Sequence, residues 1–139
     1  MITKVSHMTL YVRDQKVAYD VYANKLGFKV NTDQTMENGM RWLTVTPPGQ
    51  PDVEIVLAEP RAPMVKADLL PHIKALLDAD AMGSGVWECD NCQKTYETLK
   101  NKGIEFMKPP TKEFYGTEAL FKDGCGNWFS MTEHTDRKV

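Results

Sequence analysis

Hydrophobic and polar positions along the chain follow one plan that is written twice. Val5 to Val12 is rich in β-forming residues and predicts a strand. Asp14 can then cap a helix, because the apolar residues after it recur at helical spacing. Gly27 suits the end of that helix. Shorter apolar runs predict three more strands, at residues 28–30, 41–46 and 53–57, so the first pattern has the order βαβββ.

The second half repeats this order. Gly85–Cys89 predicts a strand, and Asp90 or Asn91 can cap the helix that follows, which ends at Gly103. Asp14 and Asp90 are 76 positions apart, and so are Gly27 and Gly103. The equal spacing indicates an internal repeat. The remaining predicted strands are residues 104–106, 117–122 and 128–132.

These elements predict an α+β fold of two βαβββ modules in tandem, whose curved mixed sheets form a cup. A single module would leave one face of its sheet bare, so we expect the two modules to share one core within a single domain, residues 1–139. The first module covers residues 3–58 and the second covers residues 83–134. Residues 59–82 predict an extended linker and one helix, with Pro71 in its first turn.

Composition narrows the function classes. Across 139 residues the formal net charge is −2, and no run of like charge reaches five residues, so we expect neither nucleic acid nor a membrane surface as a partner. No apolar stretch is long enough to span a bilayer. Three cysteines and an N-terminus without the apolar core of a signal peptide favour a cytoplasmic location.

Besides the order of strands and helices, several motifs resemble those of a known superfamily. They are His7 in the first strand, Asp14, the segment at residues 22–28 and the glycine turn at residues 123–129. With the paired βαβββ plan, they resemble the vicinal oxygen chelate superfamily, which includes glyoxalase I, bleomycin-resistance proteins, fosfomycin-resistance enzymes and extradiol dioxygenases. The resemblance covers roughly residues 3 to 133 and implies the fold, but this fold carries several chemistries.

The resemblance also implies where a divalent metal would bind. In metal-using members each module supplies two ligands, and the matching positions in the first module are His7 and Glu54. The 76-residue offset places Gly83 and Ser130 at the matching positions of the second module, or Ser84 for the first of these if the helix cap is Asn91. None is a strong ligand, so we expect no four-ligand site and no cofactor, with at most a weakly bound divalent metal on His7 and Glu54.

Aromatic and polar residues on the predicted strands are candidates for a ligand pocket, although each aromatic residue could equally belong to the core. Trp87 and Trp128 share strand parity with Gly83 and Ser130, which favours them as pocket residues. Cys89 and Cys92 form a CxxC motif, which we interpret as buried structural thiols rather than as a redox or zinc site. The candidate ligand-binding residues are Tyr11, Trp42, Trp87, Tyr115, Glu118, Trp128 and Ser130.

Two functional hypotheses follow. The first is a metal-free pocket between the modules that binds or sequesters a small molecule, as bleomycin-resistance proteins do. The second is a glyoxalase-like lyase or isomerase, or a dioxygenase-related enzyme, in which His7 and Glu54 are catalytic and form a partial metal site or a base pair for proton transfer. The resemblance also implies a homodimer.

Overall fold

A computed structural model of the protein describes residues 1–135. Within these residues the chain forms eight strands and three α-helices, in the order predicted from the sequence. The strands are β1 (His7–Tyr11), β2 (Lys29–Thr35), β3 (Arg41–Thr46), β4 (Glu54–Ala58), β5 (Met82–Glu88), β6 (Phe106–Glu113), β7 (Gly116–Lys122) and β8 (Asn127–His134). The helices are α1 (Gln15–Tyr19), which continues as a π-helical turn (Asp20–Lys25), α2 (Leu70–Asp78), preceded by a 3-10 turn (Ala67–Leu69), and α3 (Cys92–Asn101).

The two halves have the same sheet topology. The first sheet has the order β1-β4-β3-β2 and the second has the order β5-β8-β7-β6. In each sheet the first strand of the module pairs in parallel with the last strand, while the other pairs are antiparallel. The prediction of an α+β fold built from tandem βαβββ modules is therefore confirmed.

Helices α1 and α3 each pack on one face of their sheets. Leu10 of β1 and Val12 just after it are buried on the face that meets α1, since side chains two residues apart share a face. Asp14 caps α1 by accepting hydrogen bonds from the backbone N–H groups of Lys16 and Val17. Asn91 caps α3 by accepting one from Lys94 N–H, so it is Asn91, rather than Asp90, that caps this helix. The two helices and both sheets enclose one continuous apolar core.

Buried polar contacts join the modules. The Tyr22 hydroxyl donates to Asp123 Oδ2 at 2.7 Å, and the Asn127 side-chain amide donates to the Tyr11 carbonyl at 2.8 Å. Asp123 is 1% exposed and accepts four hydrogen bonds in all, so its carboxylate is fully satisfied. The turn between β7 and β8 is thereby fixed against the first module.

The segment between the modules matches its prediction. The linker leads into α2, whose Pro71 lies in the first helical turn, where a missing N–H removes no helical hydrogen bond. Three predicted strand ends were too early: β2 extends to Thr35, β6 extends to Glu113 rather than ending at Phe106, and β8 extends to His134 rather than ending at Thr132. No helix within residues 1–135 is long and apolar enough to cross a membrane.

Candidate functional site

Each sheet has a helix face, which is buried by the helices, and an opposite face, here called the open face. In the first sheet the open face carries His7, Thr9 and Tyr11 of β1 together with their partners on β4. In the second sheet the same face carries Ser130 and Thr132 of β8. Strand alternation places every second side chain on this face, so the predicted site residues can be sorted by register.

On the first open face, His7 and Glu54 form a pair. They are direct partners in the ladder between β1 and β4, and His7 Nε2 lies 3.0 Å from Glu54 Oε2. The other carboxylate oxygen, Oε1, accepts a hydrogen bond from the Thr44 hydroxyl at 2.8 Å. Both members stay open to solvent, with 47% of the His7 side chain and 32% of the Glu54 side chain exposed. The arrangement can hold and transfer a proton between imidazole and carboxylate.

The matching positions of the second module differ from those given by one fixed offset. Val56 pairs with Thr44, and Ser130 pairs with Leu120, so Val56 and Ser130 are equivalent and 74 positions apart. Glu54 is therefore equivalent to Trp128, and the prediction that Ser130 is its counterpart was wrong. The reason is the connection between the two strands, which takes 12 positions from Thr44 to Val56 but only 10 from Leu120 to Ser130. The ladder pairs Gly83 with Trp128 as it pairs His7 with Glu54, so Gly83 is the counterpart of His7, and Ser84 is the extra residue of the bulge beside it.

These residues do not supply the family's metal-ligand set. Ser84 donates its hydroxyl to Asn127 Oδ1 at 2.6 Å, and Trp128 has no metal-binding atom. The Trp128 indole lies against Gly83, where a Cβ atom would come within 2.6 Å of its Cζ2 atom. The indole thus fills the space beside β5. Within residues 1–135 no group of three or more His, Cys, Asp or Glu side chains could hold a metal ion.

Five of the predicted ligand-binding residues lie in the second module, and three of them are hydrogen-bonded together. Glu118 Oε1 accepts from the Tyr115 hydroxyl at 2.7 Å and from Lys108 Nζ at 2.8 Å, while Oε2 accepts from the Ser130 hydroxyl at 2.5 Å. Burial raises the pKa of Glu118, but the hydrogen bonds from Lys108, Ser130 and Tyr115 outweigh that effect and lower the pKa to about 2. Glu118 is therefore ionised at neutral pH and holds these three side chains together through hydrogen bonds.

A second His–Glu pair lies on the open face of the second sheet, and the sequence analysis missed it. His134 Nδ1 lies 3.0 Å from Glu88 Oε1. A regular strand counted from Gly83 would place Glu88 on the opposite face, but the ladder shifts between Gly83 and Gly85, which brings Glu88 onto the face of Ser130 and Thr132. The Gly-Ser-Gly sequence of β5 was the available signal for such a bulge.

The same bulge corrects the placement of Trp87. Trp87 pairs with Met131 on the helix face, so it does not share a face with Trp128 and Ser130 as parity predicted. Its indole packs against Phe28 at a centroid distance of 5.1 Å and against Phe129 at 4.8 Å. Trp87 therefore belongs to an aromatic cluster where the modules meet. Part of the Trp87 side chain also lines a groove.

That groove runs between the modules and has a volume of about 1110 Å³. One wall is the turn at residues 47–50 of the first module, and the other is the end of β5 with Val86 and Trp87. Phe28 adds an apolar surface, and the Glu88–His134 pair forms a polar end. A neighbouring cavity of about 330 Å³ shares Val86 and Trp87 and is lined mostly by apolar side chains.

The remaining candidates lie elsewhere. Tyr11 and Trp42 share the first open face with His7, and Trp42 lines a separate cavity in the first module. Cys92 is buried and Cys89 is half-buried. Burial, followed by the neighbouring Cys92 thiol, raises the pKa of Cys89 to about 12, which keeps it a thiol at neutral pH and favours the structural interpretation.

Comparison with known proteins identifies relatives that are similar to this chain in sequence and in structure. The family model described as "Glyoxalase/Bleomycin resistance protein/Dioxygenase superfamily" matches residues 4–131. The uncharacterised protein YetH of Bacillus subtilis (strain 168) is 33% identical over 135 residues, which are 96% of this chain and 100% of YetH. The crystal structure of UcmS2 is 40% identical with a TM-score of 0.87, and covers 96% of this chain and 99% of its own. TnmS3, described as an antibiotic binding protein from Streptomyces sp. CB03234, is 25% identical with a TM-score of 0.75, and covers 96% and 98% of the two chains.

Proposed function

The chain belongs to the glyoxalase/bleomycin resistance protein/dioxygenase superfamily, and we propose that it binds and sequesters a small molecule of the antibiotic class without using a metal. The ligand lies in the groove between the modules. The observation that carries this proposal is the groove itself, which combines about 1110 Å³ of space with apolar walls and a polar end. Small-molecule sites have this combination.

The shape of the groove supports a ligand of drug-like size. Phe28, Val86 and Trp87 offer apolar and aromatic surface, and Val86 is 66% exposed despite being aliphatic. The Glu88 carboxylate and the His134 imidazole can orient polar groups of a ligand at one end. The description of TnmS3 as an antibiotic binding protein supports the ligand class.

The residues at the four positions that could hold a metal support metal-independent binding. A divalent site with open positions needs about three protein ligands. In the first module His7 and Glu54 already bind each other, and the second module has Gly83 and Trp128 at the matching positions. The proposal therefore assigns ligand affinity to apolar contact and hydrogen bonds rather than to a bound cation.

Dimerisation is part of the proposal. Strands β1 and β5 each lie at one edge of their sheets and carry exposed apolar residues, among them Met8 and Val86. Exposed edge strands favour pairing with another chain. Sedimentation at tens of micromolar tests this point, and a monomer at that concentration would contradict it.

The groove is tested by binding measurements on a blocked variant. The uncharged dye Nile red, whose fluorescence rises in apolar sites, probes the groove, and bleomycin probes the ligand class. We expect both to bind the wild-type protein in EDTA and bleomycin to raise its melting temperature. Val86→Arg places a long charged side chain in the groove and should abolish both effects.

The matched control is Met107→Arg, which introduces the same charge at an exposed apolar position of β6, outside the residues that line the groove. This variant should bind both probes like the wild type. Binding that disappears in EDTA and returns with nickel, manganese or iron would contradict the metal-independent proposal. Equal loss in both arginine variants would contradict the location in the groove.

The geometry of His7 and Glu54 favours one alternative function. Their 3.0 Å contact, with Glu54 held by Thr44, suits proton transfer next to a carbonyl group, as in a glyoxalase-like isomerase. The test is turnover of the hemithioacetal of methylglyoxal and glutathione, with and without added divalent metals. Turnover that is lost in both His7→Gln and Glu54→Gln would support the enzyme, whereas its absence in the wild type would exclude this reaction.

A further inference from the structure

A second cavity lies in the first module, at the end of its sheet where β3 and β4 separate. The ladder between these strands contains two pairs, Thr44 with Val56 and Val45 with Ile55. Beyond them the buried amide of Gln15 fills the gap, since its Nε2 donates to the Arg41 carbonyl at 2.9 Å and to the Leu57 carbonyl at 2.8 Å. The separation of the strands opens a cavity of about 340 Å³.

Apolar side chains form much of this cavity. Trp42 supplies an indole surface from β3, and Met40 and Met64 line the cavity from the turn before β3 and from the linker. Methionine thioethers pack favourably against aromatic rings and adapt to their shape. The volume lies at the small end of the range for ligand sites, which suits a molecule of one or two rings.

The charges at the cavity leave one group unpaired. The Arg41 guanidinium is held by Asp33 at 2.7 and 2.8 Å, and Glu59 Oε2 accepts from the Gln15 backbone N–H at 2.9 Å. Arg61 also lines the cavity, is half-buried, and has no ion pair or side-chain hydrogen bond with any residue in 1–135. A guanidinium withdrawn from water without a partner is unfavourable, so this position favours an anion.

We propose that this cavity binds a small aromatic carboxylate. The Arg61 guanidinium binds the carboxylate, and the ring lies between Trp42 and the two methionines. Arginine suits this task because its planar donors can bind both carboxylate oxygens. The site is separate from the groove between the modules and shares no lining residue with it, so it does not depend on the proposed function.

The test compares 2-naphthoate with its uncharged amide, 2-naphthamide, by calorimetric titration. We expect 2-naphthoate to bind the wild-type protein about 10- to 100-fold more tightly than 2-naphthamide, the range typical of one charge-assisted contact. Arg61→Met keeps an apolar stem of similar length and should remove this difference. Lys112→Met removes a positive charge from the exposed side of β6 and should leave the difference unchanged.

Nuclear magnetic resonance of the three tryptophan indole N–H groups locates the ligand. Addition of 2-naphthoate should shift the signal that disappears in Trp42→Phe. A shift confined to the Trp87 signal would place 2-naphthoate in the groove and overturn the proposal. Absence of binding at millimolar concentration, equal binding of carboxylate and amide, or unchanged binding in a folded Arg61→Met variant would overturn it as well.

Discussion

The two modules share one topology but use their open faces differently. In the second module, β7 and β8 pair along seven positions, and Glu118 collects the polar groups around it into one network. In the first module, β3 and β4 pair at two positions and then separate around Gln15. The second sheet is therefore the more continuous one, and the first sheet provides a cavity.

This contrast indicates a division of roles between the repeats. The second module contributes the turn whose Asp123 joins the modules, the indole of Trp128 that packs over Gly83, and the ionised Glu118. The first module keeps a solvent-accessible His7–Glu54 pair and a half-buried Arg61. A duplicated fold can thus stabilise itself with one copy and keep reactive or ligand-binding groups in the other.

The largest difference should come from two glycines at positive φ, Gly39 in the turn before β3 and Gly116 at the start of β7. Gly116 has φ +144°, and a Cβ atom there would lie 2.1 Å from the Glu133 carbonyl oxygen. Gly39 has φ +86° with nothing within 4 Å of its Cβ position. We expect Gly116→Ala to lower the free energy of unfolding by about 3 kcal/mol or more, and Gly39→Ala by about 1 kcal/mol.

Urea denaturation followed by tryptophan fluorescence measures both values. The comparison is controlled internally, because both variants add the same methyl group at a positive φ and only one meets backbone atoms. Equal losses in the two variants would show that the turns are equally open, against the structural contrast drawn between the modules.

The sequence predicted the fold well because its signals are local. Asp14 and Gly27 bound the first helix, and the repeat of the same pattern after residue 83 established the second module. The residues of the candidate site were harder to place, because each inserted residue shifts the strand pairing of the residues that follow it. One bulge at Gly83–Gly85 moved Trp87 to the helix face, and a shorter connection between β7 and β8 made Trp128, rather than Ser130, the counterpart of Glu54.

Long-range contacts were also outside the reach of sequence patterns. The spacing of Lys108, Tyr115 and Ser130 did not predict that all three would bind Glu118, because they come from two strands and a turn. The same holds for the gap between β3 and β4, which depends on where the Gln15 amide docks. Strand prediction gives the face of a residue but not its partner across the sheet.

The second largest effect should come from the buried contact between the modules. Asp123→Asn replaces an acceptor with a donor beside the N–H groups of Asn127 and the hydroxyl of Tyr22. We expect a loss of about 2–4 kcal/mol in the free energy of unfolding, and about 1–2 kcal/mol for Tyr22→Phe, which leaves one acceptor less satisfied. Gln50→Ala, in the exposed turn at the matching place of the first module, should change it by less than about 0.5 kcal/mol.

Denaturation curves for these three variants sharpen the comparison. If the Gln50 variant lost as much stability as the Asp123 variant, the two turns would contribute equally and the buried network would have no special role. If Tyr22→Phe were neutral, the hydrogen bond between the modules would not stabilise the fold.

A smaller effect should appear as a pH dependence of the second module. The pKa of Glu118 is lowered from 4.5 to about 2, so its ionised form stabilises the folded state above pH 4.5. That contribution is lost as the pH falls from about 4.5 towards 2. Glu118→Gln should therefore be less stable than the wild type at pH 7, and the difference should shrink across this acid range.

Thermal unfolding at pH 7, 5, 4 and 3 measures that difference. The control is Glu37→Gln, at an exposed position of the turn before β3 in the first module. Its melting temperature should follow that of the wild type at every pH. A constant gap between Glu118→Gln and the wild type from pH 7 to pH 3 would contradict the stabilising role of ionised Glu118.

The smallest expected effects concern the helix caps, which the repeat places at equivalent positions. Asp14 accepts from two backbone N–H groups, at 2.7 and 3.4 Å, and Asn91 accepts from one at 3.0 Å. Each alanine substitution should lower the free energy of unfolding by about 1 kcal/mol. Because the caps share no hydrogen-bond partner, the double variant should lose the sum of the two values. Asp14→Asn and Asn91→Asp keep an acceptor in place and should restore most of each loss. A full loss at Asp14 with none at Asn91 would mean that the two helices begin differently, and the equivalence of the two caps would have to be revised.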